Sequence, residues 1–354
     1  MKIGYIVTLL AGFMLNCQVA SAQSFVIESF DHAGQLTFNQ LSNATGYRVE
    51  WAPSPNGPWT NTWKNLSYIP APESGSVTCS VAMCYRVVAE MGIAMTQIPG
   101  GVNSGTNPLG SGESYESYYP ETYALSVDSF YMDVTAVTKS QWDNVYNWAI
   151  ANGYVFDNTG DSKADNHPVH SINWYDSVKW CNARSEKEGL SPCYTVDSTV
   201  YRAGQFNPDC DFTESGYRLP ATEEWEYAAR GGLGSRRFPR GDTITHSIAN
   251  YSSSSNYDYD ISPTLGYHPS YNDGVYPYTA PVASFDPNGY GLYDMDGNMM
   301  TWCWEPQYTT ARHIRGGAWN QLAEALRCGR ISWNLADEAK NIIGLRAVRS
   351  IATP

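Results

Sequence analysis

The sequence predicts an α+β fold for residues 93–354, preceded by a small all-β sandwich over residues 23–92. Two observations carry this prediction. Beyond residue 93, helical and strand-like segments are mixed without regular strand–helix alternation, which argues against a doubly wound parallel sheet. Before residue 93, short runs of alternating apolar and polar residues are separated by turns rich in Pro, Ser, Gly and Asn, and no helical period occurs.

Residues 1–22 have the pattern of a secretory signal peptide. Lys2 precedes an apolar run over residues 6–15, and Ala20-Ser21-Ala22 supplies the small residues of a cleavage site. The run is too short to span a membrane, and no later segment approaches the length of about eighteen apolar residues that spanning requires. We therefore predict a secreted or periplasmic protein, cleaved near Ala22, without a transmembrane segment.

The all-β region is predicted from alternating runs at residues 36–38, 46–51 and 84–88. Together with the turn Gly57-Pro58-Trp59-Thr60 they resemble a small fibronectin-type-III-like sandwich. A module of this kind is typical of spacers and adhesion units.

Two helices are predicted early in the α+β region. The first begins at Thr138, with Gln141 completing a capping box, and buries an apolar face made by Trp142, Val145, Tyr146 and Ala149. The second runs from about residue 174 to residue 188 and stops at Gly189.

A third helix follows the end of a strand in the run from residue 216 to residue 232, GYRLPATEEWEYAARGG. Thr222 is the predicted cap of this helix, and Gly231 suits a left-handed stop after Arg230. Trp225, Ala228 and Ala229 are spaced by three and four, which predicts a buried stripe.

The same run resembles the central motif of the formylglycine-generating enzyme family, also called sulfatase-modifying factors. Further blocks of the family pattern occur in order at residues 95–101, 130–133, 167–169, 287–295, 315–319 and 344–346. The resemblance covers residues 93 to 350, and it implies an irregular relative of the C-type lectin fold with long loops.

For chemistry, the resemblance implies oxidation of a sulfatase cysteine to formylglycine by copper(I) held between two thiolates. Soft thiolates suit copper(I). In the family the two cysteines follow a Gly-Gly-Ser block, which here is Gly316-Gly317-Ala318, and only Cys328 follows it closely. Cys303 belongs to a neighbouring block and does not match the family site. We therefore expect no copper and assign no catalytic residue.

The resemblance also implies two calcium sites built from oxygen donors, which suit a hard cation. The first combines Asn and Asp side chains with two backbone carbonyls, and its donors here are Asn250, Tyr251, Asp273 and Val275. The second takes its donors from Asp294, Gly297 and Met299. Thr301 replaces the closing Glu of the second site, which is expected to be weak unless Asp296 compensates. The alternative for Asp273 is that it only caps a turn.

Composition restricts the partners. A net charge of -13 argues against nucleic acid and anionic membranes, because both reward Lys/Arg patches. The 26 Tyr and 12 Trp residues must lie in the core or form a stacking surface. The predicted partner is a protein or glycan ligand of unknown identity.

Cysteine pairing is expected in an exported chain. We predict a disulfide between Cys193 and Cys210, which would pin the loop that leads into residue 216. Cys79 and Cys84 form a second candidate pair. Cys303 and Cys328 form a third, either as a disulfide or as two buried thiols, and Cys181 is expected to be a buried thiol.

Three functions follow from these observations. The first is an exported, calcium-stabilised, lectin-like domain that binds a ligand or partner and does not oxidise cysteine. The second is an enzyme of the same family, either with a rearranged copper site or with another substrate. The third is a purely structural adhesion protein. A thiolate pair at the bottom of a groove would distinguish the second function from the first.

Overall fold

The computed structural model describes residues 93–351 with their side chains and, before them, only the backbone of four strands. The chain divides into two units, Met1–Gly92 and Ile93–Pro354. In the first unit, β1 (Ile27–Phe30) pairs with β2 (Leu36–Phe38), and β3 (Ala44–Ala52) pairs with β4 (Cys84–Met91). These pairs do not establish the fibronectin-type-III-like module. The predicted signal peptide lies outside the described residues.

The second unit contains three α-helices, which lie at the predicted places. They are α1 (Lys139–Ala151), α2 (Trp174–Lys187) and α3 (Thr222–Ala229). The predicted capping box of α1 is confirmed, since the Thr138 side chain accepts from the Gln141 backbone and Gln141 caps in return. Gly189, just after α2, has a left-handed φ of 74°, which explains why that helix stops there.

The start of α3 corrects one detail of the sequence analysis. Thr222 is the first helical residue and not the cap, and the N-cap position belongs to Ala221, whose side chain cannot accept a hydrogen bond. Two carboxylates accept hydrogen bonds from the backbone at the start of the helix instead. Glu224 accepts from the backbone N–H of Ala221 at 2.8 Å, and Glu305 from that of Thr222 at 2.6 Å. Carboxylates suit the positive end of a helix.

Two four-stranded sheets carry the helices and loops of the second unit. The first has the order β12-β19-β8-β5 and the second β17-β16-β15-β18, in which β15 and β18 are parallel. The first sheet comprises β5 (Met95–Ile98), β8 (Phe130–Asp133), β12 (Tyr217–Arg218) and β19 (Val348–Ser350). The second comprises β15 (Met300–Tyr308), β16 (Ala311–Arg315), β17 (Ser332–Leu335) and β18 (Ile343–Gly344).

Small sheets fill the remaining connections. They are β6 (Gly101–Thr106) with β7 (Thr122–Val127), β9 (Tyr194–Val196) between β10 (Thr199–Val200) and β11 (Asp209–Cys210), and β13 (Ser252–Ser253) with β14 (Gly266–Tyr267). A short 3₁₀ helix, Ala323–Leu326, follows β16. This mixture, with most of the second unit in loops, confirms the predicted α+β class.

The core of the second unit is divided into several hydrophobic clusters. One cluster surrounds α1 and α2, where the rings of Trp142 and Trp180 stack at 5.8 Å. Another surrounds α3 and contains Trp225, Cys303 and Cys328. The predicted buried stripe of α3 is confirmed. Tyr146 of α1 is only partly buried.

The predicted disulfide between Cys193 and Cys210 is not present, because both are free thiols in the structure. Strand pairing gives the reason. Cys210 lies opposite Tyr194, and the N–H of Asp211 donates to the carbonyl of Cys193 at 2.9 Å. The two cysteines are therefore offset by one position in an antiparallel ladder, where successive side chains leave opposite faces. Cys181, Cys303 and Cys328 are also free and buried. The Cys79–Cys84 candidate pair lies outside the fully described residues.

Candidate functional site

The segment after β16 is the place where the sequence located the family's copper chemistry. Gly316 and Gly317 have φ values of 98° and 70°. A Cβ added at Gly316 would lie 3.0 Å from the Trp225 ring, and one at Gly317 would lie 2.6 Å from Leu326. Glycine is therefore needed at both positions, for its left-handed backbone and for the close approach. The turn delivers Ala318 into the interior, where it is fully buried.

Cys328 is buried, and its thiol resists ionisation. Burial raises the pKa of its thiol to about 12, and burial also raises the pKa of Cys303 well above its usual range. Both belong to the core cluster around α3. Copper(I) binds the thiolate form, so either thiol would have to lose its proton before it could bind the metal. Deprotonation costs more free energy at these buried positions than at an exposed cysteine.

Charged groups occupy the interior beside Cys328. The Arg315 guanidinium donates to the Cys328 carbonyl at 2.8 Å and to Glu226 at 2.7 Å. Glu226 also accepts from Arg230 at 2.6 Å. All three charged side chains are nearly or fully buried. This network has a structural role, because each carboxylate oxygen of Glu226 already has a guanidinium partner.

Next to Ala318 lies a surface that we call the tyrosine–tryptophan cluster, made by Tyr267, Tyr276, Tyr278 and Trp319. Tyr276 stacks on Tyr278 with centroids 4.4 Å apart, and both rings lie 5.4 Å from Trp319. Trp319 is buried, whereas the Tyr276 residue is 59% exposed. The pKa of Tyr267 is raised, chiefly by a side-chain hydrogen bond with Tyr276. A buried tryptophan therefore supports an exposed tyrosine.

Other groups of the protein contact most of the donors of the first predicted calcium site. Asp273 and Val275 both contact the side chain of Lys163. The Lys163 Nζ lies 2.7 Å from Asp273 Oδ1, 2.6 Å from Asp273 Oδ2 and 3.2 Å from the Val275 carbonyl. This hydrogen bond lowers the pKa of Asp273. The Val275 N–H donates to Asp273 Oδ1 at 3.1 Å, so Asp273 also caps a turn, as the alternative supposed.

The other two donors of that site are buried. Asn250 donates through Nδ2 to the Tyr278 carbonyl at 2.8 Å, and its Oδ1 has no partner among the described residues. The Tyr251 carbonyl accepts from His246 Nε2 at 3.2 Å. As arranged, the four donors do not fit a calcium ion, because a side-chain cation faces two of them.

The second predicted site retains one oxygen ligand that no hydrogen bond from the described residues occupies. Asp294 Oδ2 accepts from the Ala283 N–H at 2.8 Å, while Oδ1 is buried without a partner among the described residues. Burial raises the pKa of Asp294 to about 6. Asp296 does not compensate for Thr301, because it pairs with Arg240 at 3.1 Å. An orphaned carboxylate oxygen fits a cation ligand.

The remaining donors of the second site lie in one tight turn. Gly297 has a φ of 91°, and its carbonyl accepts from the Met299 N–H at 2.7 Å. Both residues are buried. Within residues 93–351, no group of three or more His, Cys, Asp and Glu side chains is placed to hold a metal ion. The Nδ1 atom of His167 lies within hydrogen-bond distance of Thr279 Oγ1, at 2.9 Å.

Residues 87–351 match the family model of the sulfatase-modifying factor enzyme 1-like domain. The chain belongs to this family. It is 32% identical over 265 residues to the chaperone protein LppX of Paenibacillus barcinonensis, covering 67% of this chain and 85% of that protein. It is 30% identical over 258 residues to the formylglycine-generating enzyme of Bos taurus, covering 63% of this chain and 66% of that enzyme.

Solved structures of this architecture agree with the family assignment. CarF is similar with a TM-score of 0.57 and 26% identity, covering 73% of this chain and 99% of that chain. Treponema denticola variable protein 1 shares the fold alone, with a TM-score of 0.53, 22% identity and coverage of 79% of this chain and all of that chain. The C-type-lectin-like fold of the sulfatase-modifying factor domain is thus confirmed. No helix in the described ranges combines the length and apolar character that a membrane crossing requires.

Sequence reasoning missed the tyrosine–tryptophan cluster and Lys163. The surplus of tyrosine was a signal for a stacking surface, but nothing in the spacing of Tyr267, Tyr276 and Tyr278 distinguishes them from other loop tyrosines. Lys163 is 110 residues from Asp273 along the chain, so only the fold brings the two together.

Proposed function

We propose that this sulfatase-modifying factor domain binds a polypeptide partner on the tyrosine–tryptophan cluster and does not oxidise cysteine. The observation that carries the proposal is the contrast at the segment after β16. Cys328 is buried with a pKa raised to about 12, whereas the Tyr276 ring is exposed and packs on Trp319. The chemistry implied by the family needs the opposite arrangement, with an accessible thiolate pair.

The chemistry of the cluster supports a protein partner. Tyrosine and tryptophan are enriched at interfaces because they bury a large ring and keep a polar tip. Tyr276 is already restricted by the rings on which it stacks, so binding costs it little side-chain entropy. The name of the chaperone LppX also favours a protein partner. The chain's charge of -13 favours a neutral or basic segment. A glycan is the alternative ligand.

Two further proposals accompany this function. Export is supported by the signal-peptide pattern, with cleavage near Ala22 into a secreted or periplasmic form. Calcium stabilisation is supported at the Asp294 loop, where a buried carboxylate oxygen lacks a partner among the described residues. Calcium there would use Asp294 with the carbonyls of Gly297 and Met299.

A displayed library of peptides, with a glycan array alongside, tests the binding site. Peptides enriched on the folded protein should lose at least about tenfold in affinity with Tyr276→Ala, because a tyrosine that acts as a binding hot spot contributes about 2 kcal/mol or more. Tyr308→Ala is the matched control, since Tyr308 is equally exposed, at 59%, on β15.

Equal binding by both variants would contradict the proposed site. Enrichment of glycans instead of peptides would favour the alternative ligand. The enzymatic alternative is tested separately by its reaction product, a peptide whose cysteine has become an aldehyde.

A further inference from the structure

The Lys163 ammonium lies among the Asp273 and Val275 donors of the first predicted calcium site. Its Nζ contacts both carboxylate oxygens of Asp273 and the Val275 carbonyl, at 2.6–3.2 Å. These two residues are half of the donor set that the sequence predicted for calcium. The Lys163 side chain is 17% exposed, whereas that of Asp273 is 50% exposed. The lysine is thus the more buried partner of the pair.

We propose that the Lys163 ammonium is a built-in replacement for calcium at this loop. An ammonium has three N–H donors, and here three oxygen acceptors lie within reach of them. Calcium needs six to eight oxygen ligands at about 2.3–2.6 Å, so it would have to share the same oxygens with an ammonium close by. The two cations would repel each other, and the divalent ion doubles that repulsion relative to a pair of unit charges.

The Lys163 side chain also contacts the tyrosine–tryptophan cluster. Lys163 Nζ lies 5.8 Å from the centroid of the Tyr278 ring, within the range of a cation–π contact. The segment from Asp273 to Tyr278 is therefore fixed at one end by an ion pair and at the other by stacked rings. Order in this loop does not require a metal ion. The inference is independent of the identity of the partner.

Terbium luminescence provides the test, since Tb³⁺ binds calcium sites and is sensitised by nearby aromatic rings such as Tyr278. All proteins carry Asp294→Asn, which removes the other candidate metal site. We expect no Asp273-dependent terbium signal in the otherwise unchanged protein. Lys163→Met should gain a saturable signal that calcium displaces, with affinity at least about 100-fold higher. Adding Asp273→Asn to Lys163→Met should abolish it.

Lys163→Arg is the matched control, because it keeps the positive charge and should bind no terbium. Folding of each variant is checked by circular dichroism, and Lys163→Gln carries the same test if the Met variant does not fold. Saturable terbium binding with Lys163 intact, removed by Asp273→Asn, would overturn the proposal by showing that the lysine yields to a metal. Failure of the folded neutral variants to gain binding would also overturn it, because the lysine would then not be what excludes the ion.

Discussion

The burial of Cys328 predicts that an alkylating reagent cannot reach it in the folded protein. Iodoacetamide reacts with the thiolate. A pKa of about 12 in place of the usual 9.0 lowers the thiolate fraction at pH 8 by about 1000-fold. Burial adds the cost of opening the core cluster. We expect Cys328 to be alkylated more than about 1000 times more slowly than an exposed cysteine, with the protection lost in urea.

Pulse alkylation followed by peptide mass spectrometry measures this protection. Ser126→Cys provides an internal reference, because Ser126 is exposed on β7. Cys303 should be protected as strongly as Cys328, since burial also raises its pKa. Labelling of native Cys328 within tenfold of the reference thiol would refute the reasoning, because it would show an accessible thiolate where a copper ligand could form.

Three further predictions concern stability. Glu226→Ala leaves the Arg230 and Arg315 guanidiniums buried without their carboxylate, so urea unfolding should show a loss of about 3–5 kcal/mol; a loss below 1 kcal/mol would contradict the network. Thr138→Ala removes a capping box and should lower the free energy of unfolding by about 1 kcal/mol, with no change in peptide binding. The pKa of Asp294 is about 6 in the folded protein, against an ordinary 3.8. Its contribution to the free energy of unfolding is therefore fully present below about pH 4 and is lost as pH rises through 6. This loss amounts to at most about 3 kcal/mol. Asp294→Asn should therefore flatten the pH dependence of unfolding measured with chelator, and calcium should raise the melting temperature only when Asp294 is present; equal calcium responses would contradict the second site.

The regular elements could be predicted from the sequence because their determinants are local. Thr138 and Gln141 lie three residues apart, and the apolar stripe of α3 follows from a spacing of three and four. The cap of α3 could not be predicted, because Glu305 reaches Thr222 from a strand 83 residues away. Local pattern therefore predicts that a helix exists, whereas contacts between distant elements decide how its ends are satisfied.

The candidate site could be predicted only in outline. The single cysteine after residue 316 predicted the loss of a thiolate pair, and the structure adds that this thiol is buried. The predicted bridge between Cys193 and Cys210 failed because the loop-rich sequence conceals the strand register that separates them. The sequence predicted Asp273 and Val275 as calcium ligands, but it could not predict their contact with Lys163, which comes from a distant loop.

The most direct test of the central claim is the mass of a Cys-x-Pro-x-Arg peptide after incubation with the copper-treated protein and oxygen. A formylglycine-generating enzyme serves as the positive control. Our account predicts that the peptide keeps its mass with this protein while the control converts it. A loss of about 18 mass units, the difference between a thiol side chain and an aldehyde, would contradict the account, because it would show that this domain oxidises cysteine.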